Sequence, residues 1–108
     1  MITINIYYKG TSGSARRFAD EMENSGTADA IRAEEGNIRY EYFYPRNDRE
    51  TVLLIDAWED QAALDAHHAS PMMQTISDLR EKYDLHMTVE RYLSSDGEQP
   101  DEKRFIRE

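Results

Sequence analysis

The chain has no cysteine, which excludes a disulfide framework, a thiolate metal site and a cysteine nucleophile. Long hydrophobic runs are also missing. The longest aliphatic stretch, Val52-Leu53-Leu54-Ile55, stops at Asp56, far short of the roughly 20 residues that span a bilayer. Met1-Ile2-Thr3-Ile4-Asn5 lacks the basic start and continuous apolar stretch of a signal peptide, so the expected compartment is cytoplasmic. Positive charge is scarce: 13 Lys and Arg stand against 22 Asp and Glu, a net charge of -9. That balance repels phosphate backbones and anionic lipid, and only Arg16-Arg17 and Lys103-Arg104 place two bases side by side. The expected partners therefore include no nucleic acid and no membrane. A small neutral or weakly polar molecule, or another protein chain, fits better. There is no nucleotide fingerprint either. Gly10-Thr11-Ser12-Gly13 has neither the Rossmann nor the P-loop spacing, and no serine stands in a nucleophile elbow.

What is present reads as one domain. The chain's 108 residues, 39% of them hydrophobic, support a single core. Ile2, Ile4, Ile6 and Tyr8 alternate with Thr3, Asn5 and Tyr7, the pattern of a strand covered on both faces. Ser14 is the expected cap of a helix carrying Phe18, Ala19 and Met22, and a short second helix follows over 28–33. Strands are predicted over 38–44, with Ile38, Tyr40, Tyr42 and Tyr44 on one face, and over 51–58, joined as a hairpin. Asp60 should cap the next helix. Ser70-Pro71 should restart it, with Ser70 as cap, so that Met72, Ile76, Leu79 and Tyr83 form one stripe. Leu85, Met87 and Val89 alternate in a last strand ending near Leu93. Residues 1–93 thus form a domain and 94–108 a polar C-terminal arm, apolar only at Phe105-Ile106.

The order strand, helix, strand, strand, helix, strand predicts a ferredoxin-like α+β sandwich with a four-stranded antiparallel sheet. Both faces of the first and third strands carry large apolar groups. A second copy covering the free face, a homodimer, accounts for this.

His67 and His68 are the first candidates for chemistry. Adjacent helical positions diverge by about 100°, so the pair does not readily ligate one metal, and Asp65 with His68 is too few. No metal is expected. His67 is either a hydrogen-bonded helix-face histidine or a proton acceptor facing the helix–sheet space. Asp56 and Trp58, two apart on a strand, share a face with Leu54 and Val52. Asp56 either bonds across the sheet, orients His67 or binds a hydroxyl, and Trp58 is core or the wall of a flat ligand site. Asn5 is the lone amide of its strand, satisfying backbone or holding a ligand oxygen. Met72, Met73 and Met87 are flexible filler that also suits an adaptable pocket.

Three segments taken together carry a resemblance. Gly36-Asn37-Ile38-Arg39-Tyr40-Glu41-Tyr42, Leu54-Ile55-Asp56-Ala57-Trp58 and Ala63-Leu64-Asp65-Ala66-His67-His68-Ala69-Ser70-Pro71 resemble the antibiotic biosynthesis monooxygenase domain over about residues 1–93. The resemblance implies a dimeric α+β barrel and oxygen chemistry with no cofactor, neither flavin nor metal. A quinol or polyphenol loses a proton and its anion reduces dioxygen, in a water-poor pocket with a base and oxyanion donors. It assigns His67 as catalytic base, Asp56 as its orienter, Asn5 as oxygen holder, and Trp58 with Tyr40 as walls; His68 and Met72 are the further residues expected to line the substrate side. Two departures stand out: Asp56 sits where Glu is commoner, and His68 is not a general family feature. A non-catalytic small-molecule-binding or stress-associated dimer of the same fold is the alternative. Haem-degrading relatives place a Trp where this chain has His67 and an axial His near Ser77. No His occurs over 72–83, so haem degradation is not expected.

Overall fold

The computed structural model describes residues 1–95 and 102–107. Elements follow the order β1 (Ile2–Lys9), α1 (Ser14–Asn24), α2 (Thr27–Arg32), β2 (Asn37–Phe43), β3 (Thr51–Trp58), α3 (Gln61–His68), α4 (Met72–Lys82) and β4 (His86–Leu93), with a 3-10 turn at Glu102–Phe105. The strands form one antiparallel sheet in the order β2-β3-β1-β4. This is the ferredoxin-like α+β arrangement expected from the sequence. Among the described residues no helix is long and apolar enough to cross a membrane.

The helices cover one face because each carries a stripe of period 3.6. α1 buries Ala15, Phe18, Ala19 and Met22, and α4 buries Ile76 and Leu79. Against them lie Ile2, Ile6 and Tyr8 of β1 and Val52, Leu54, Asp56 and Trp58 of β3, all buried. The register Ile6↔Leu54 and Tyr8↔Val52 puts these rows on one face. On β4 the same face carries Met87, Val89 and Leu93, opposite Tyr8, Ile6 and Ile2. Those three side chains are exposed, so the helical layer stops short of the β4 edge.

Local chemistry departs from expectation at four points. Ser14 does not cap α1: Gly13, at φ +80°, takes the cap position, and the buried Ser14 hydroxyl accepts from the Thr11 N–H. Ser70 does not cap α4, whose cap position is Pro71, and its hydroxyl oxygen is buried with no partner among the described residues. A bulge between Asn37 and Arg39 breaks the alternation of β2. Ile38 therefore does not share a face with Tyr40; it is exposed and lines a groove with Thr3, Ile55 and Ala57 of the opposite face. β2 ends at Phe43, and Tyr44 turns outward with the Arg16 guanidinium 4.5 Å over its ring. Of the arm over 94–108, residues 96–101 and 108 lie outside the described residues, while Phe105 and Ile106 are exposed.

Candidate active site

Asp60 starts α3 by accepting the Ala63 N–H. From that start, Leu64 and His67 fall three residues apart on the buried side. His67 therefore enters the core where periodicity calls for an apolar residue. Its ring stacks on Trp58, with centroids 4.7 Å apart and planes 25° apart. Its Nδ1 lies 2.9 Å from Glu34 Oε1. A carboxylate only accepts, so Nδ1 carries the hydrogen and Nε2 of the neutral ring is left as the basic nitrogen. His67 is 3% exposed and Asp56 4%.

Glu34 is held in place by the turn after α2. Gly36 adopts φ +81°, and a Cβ there would collide with the Ala63 Cβ. Its carbonyl accepts the Glu59 N–H at 2.8 Å. The turn thus packs directly on α3 one helical turn before His67, and the Glu34 carboxylate reaches the imidazole.

Asp56 performs a different task from the one expected. Its Oδ1 accepts the Trp58 indole N–H at 2.6 Å, while the structure assigns the orientation of His67 to Glu34. Burial pushes the Asp56 carboxyl up to about 6, against the opposing pull of His67 and the indole hydrogen bond. Tyr40 lies directly opposite Asp56 in the sheet, buried, with its hydroxyl 3.3 Å from that of Tyr42. Burial raises both phenols above their ordinary value. Tyr8, fully buried, accepts a hydrogen bond from Arg80 Nη2 at 2.8 Å. His68 is exposed beside His67, ring centroids 5.7 Å apart. Partial burial, then the adjacent His67 imidazole, lowers its basicity.

The structure thus brings Asp56, Trp58, His67 and Tyr40 together on the helix side of the sheet, with His68 and the partly buried Met72 at the α3–α4 end. Asn5 does not join them. The alternation that buries Ile2, Ile6 and Tyr8 under the helices turns Asn5 to the opposite face, and its Oδ1 is buried there with no hydrogen-bond partner among the described residues. A role for Asn5 as oxygen holder beside His67 is corrected accordingly. Four surface grooves of about 230–440 Å³ lie elsewhere, and none is lined by His67, Asp56 or Trp58. Sequence reading missed Glu34, Tyr8 and Arg80. Glu34 lies 33 residues from His67, and only the acids flanking Gly36 hinted at it. Among the described residues no cluster of three His, Cys, Asp or Glu could hold a metal. Ser77 is exposed on α4.

Comparison with known proteins places this geometry in context. The sequence profile described as antibiotic biosynthesis monooxygenase matches residues 1–79. "Putative monooxygenase YcnE" of Bacillus subtilis (strain 168) is 28% identical over 74 residues, 68% of this chain and 76% of that protein. A Deinococcus radiodurans crystal structure whose name carries the same family description superposes with a TM-score of 0.78 at 16% identity, covering 92% of this chain and 97% of its own. SnoaB, a cofactor-independent oxygenase from Streptomyces nogalater, superposes at 0.73 with 14% identity, over 93% and 97%. The structural likenesses establish the fold.

Proposed function

The chain belongs to the antibiotic biosynthesis monooxygenase family, and from that membership we propose that it oxidises a quinol or polyphenolic aromatic with dioxygen, without a cofactor. The observation that carries this reading is His67, a buried imidazole with Nδ1 fixed by Glu34 and its ring stacked on Trp58. His67 acts as general base, taking the substrate's hydroxyl proton at Nε2. Asp56 is a positioning residue that fixes the indole on which His67 lies. Trp58 and Tyr40 wall the ring, with His68 and Met72 on its outer side. The reaction balances as quinol plus dioxygen giving hydroxyquinone plus water. One oxygen atom enters the ring, the other leaves as water, and the substrate supplies all four electrons. The anion formed at His67 is the electron donor to dioxygen. The working unit in this reading is a homodimer, with a second copy over the free sheet face.

The burial of His67 and Asp56 favours a second reading, a non-catalytic small-molecule-binding dimer that retains the fold. Oxygen uptake with a menadiol-type quinol separates the two. The oxygenase reading expects uptake well above autoxidation and one atom of ¹⁸O from labelled dioxygen in the product. Uptake no faster than in protein-free buffer leaves only the binding reading.

A further inference from the structure

Among the described residues no carboxylate pairs directly with Arg80. Its Nε is buried with no hydrogen-bond partner among the described residues. Nη2 donates to the Tyr8 hydroxyl at 2.8 Å, and the guanidinium carbon lies 5.3 Å from the Tyr8 ring centroid. Having accepted that bond, the Tyr8 hydroxyl still has its own hydrogen to give, and no acceptor for it stands among the described residues. Two adjacent donors are therefore unspent inside the helix–sheet layer. Leaving a cation and a hydroxyl there unanswered costs stability. Such an arrangement is the one that stabilises a negative oxygen.

Their position fits the site. Tyr8 lies on the same face as Asp56, Trp58 and Tyr40, and the Arg80 charge is felt at Asp56, Tyr40 and His68. Arg80 is only partly buried. Met87, directly opposite Tyr8 on β4, and Val89 beside it are exposed on this same face. An aromatic ring can approach over these two side chains, where no helix blocks it, with Met87 flexible enough to move aside.

We propose that Arg80 and Tyr8 form an oxyanion-binding pair that holds the substrate as a phenolate. The ligand class is a flat aromatic with an ionisable ring hydroxyl, which enters past Met87 and Val89 and places its oxygen at the Arg80 and Tyr8 donors. Here the proposal rests on the oxygenase reading: His67 takes the proton, and this pair retains the anion it leaves.

The test uses 4-nitrophenol, whose phenolate is distinguished by its absorbance, and 4-nitroanisole, which cannot ionise. Bound 4-nitrophenol should titrate about one pH unit or more below the free probe, and 4-nitroanisole should bind several-fold more weakly. Arg80→Met should abolish the shift and leave 4-nitroanisole affinity unchanged; Arg80→Lys should restore part of the shift. Tyr8→Phe should reduce the shift. An unshifted titration in the wild-type protein overturns the pairing without recourse to any variant, as does failure of 4-nitrophenol to bind. Equal loss of both probes in Arg80→Met and Arg80→Lys also overturns it, since that reports packing alone. A shifted nitrophenol in a protein with no quinol-dependent oxygen uptake supports the pair while removing the oxygenase reading. Uptake with an unshifted nitrophenol does the reverse.

Discussion

Adjacent in sequence, His67 and His68 meet opposite surroundings: one stacked under the sheet on Trp58 with a carboxylate on Nδ1, the other in solvent. His67→Ala should therefore lower quinol turnover by about 10²–10⁴-fold, the usual contribution of a general base, and His68→Ala by far less. Equal losses in steady-state kinetics would remove His67 from the mechanism. Asp56 makes a prediction about stability. Its folded value of about 6 lies above the ordinary carboxylate value of 3.8, so the folded chain binds the proton more tightly. The contribution of Asp56 to stability is thus most favourable below pH 4 and declines as pH rises through 6. Asp56→Asn, which keeps an acceptor for the Trp58 indole, should stabilise the protein by about 1–3 kcal/mol at pH 7–8 and by little at pH 4. Urea unfolding across that range decides it, and a difference independent of pH would refute the argument. Asp56 and Trp58 were legible from alternation, whereas period left both His67 and His68 at the buried face and only the family resemblance singled out His67. Glu34 was not legible, because its contact with His67 is made by tertiary packing that no local pattern records.

Elements were legible where a period runs uninterrupted. All four strands and the helix pairs appear within a residue or two of expectation. Misreadings fall at the joints, where backbone conformation competes with side-chain capping. Ser14 and Ser70 both looked like caps, yet a left-handed glycine and a proline occupy those positions. The bulge at Asn37/Arg39 leaves no periodic trace, and it moves Ile38 to the other face. The joint with the greatest bearing on function is Gly36, which ties the turn carrying Glu34 to α3. Gly36→Ala combines an unfavourable positive φ with a collision against Ala63, and should cost about 2–4 kcal/mol. Ala63→Gly removes the collision but not the strained φ. In a double-mutant cycle by urea unfolding, the pair should be less destabilising than the two single changes added together. Strict additivity would mean that the turn does not bear on α3.

On the scale of the whole molecule, the sequence's most consequential feature is an apolar face that the helices do not use. Leu53 and Ile55 of β3 and Tyr7 of β1 remain partly accessible, Ala57 is buried, and Ile38 and Tyr92 are about half exposed. Asn5 lies among them, its buried oxygen unpaired among the described residues. Apolar surface of this extent on a chain of net charge -9 is expected to be covered by a second copy rather than by solvent. Light scattering at micromolar concentration should give about twice the 12.6 kDa chain mass, and a monomer mass would end the dimer proposal. Ile55→Glu should shift that mass towards the monomer while leaving the helix-side core folded, since its side chain lies away from Trp58 and Leu54. The arm supplies an independent check. Phe105 and Ile106, 76% and 60% exposed, are adjacent large apolar residues in an otherwise polar segment, and they gain a burial site only against another surface. If that surface belongs to the partner, truncation after Leu93 should raise the dimer dissociation constant measurably in dilution experiments. If dissociation is unchanged, the arm takes no part in dimerisation, and the sheet face alone must hold the two copies together.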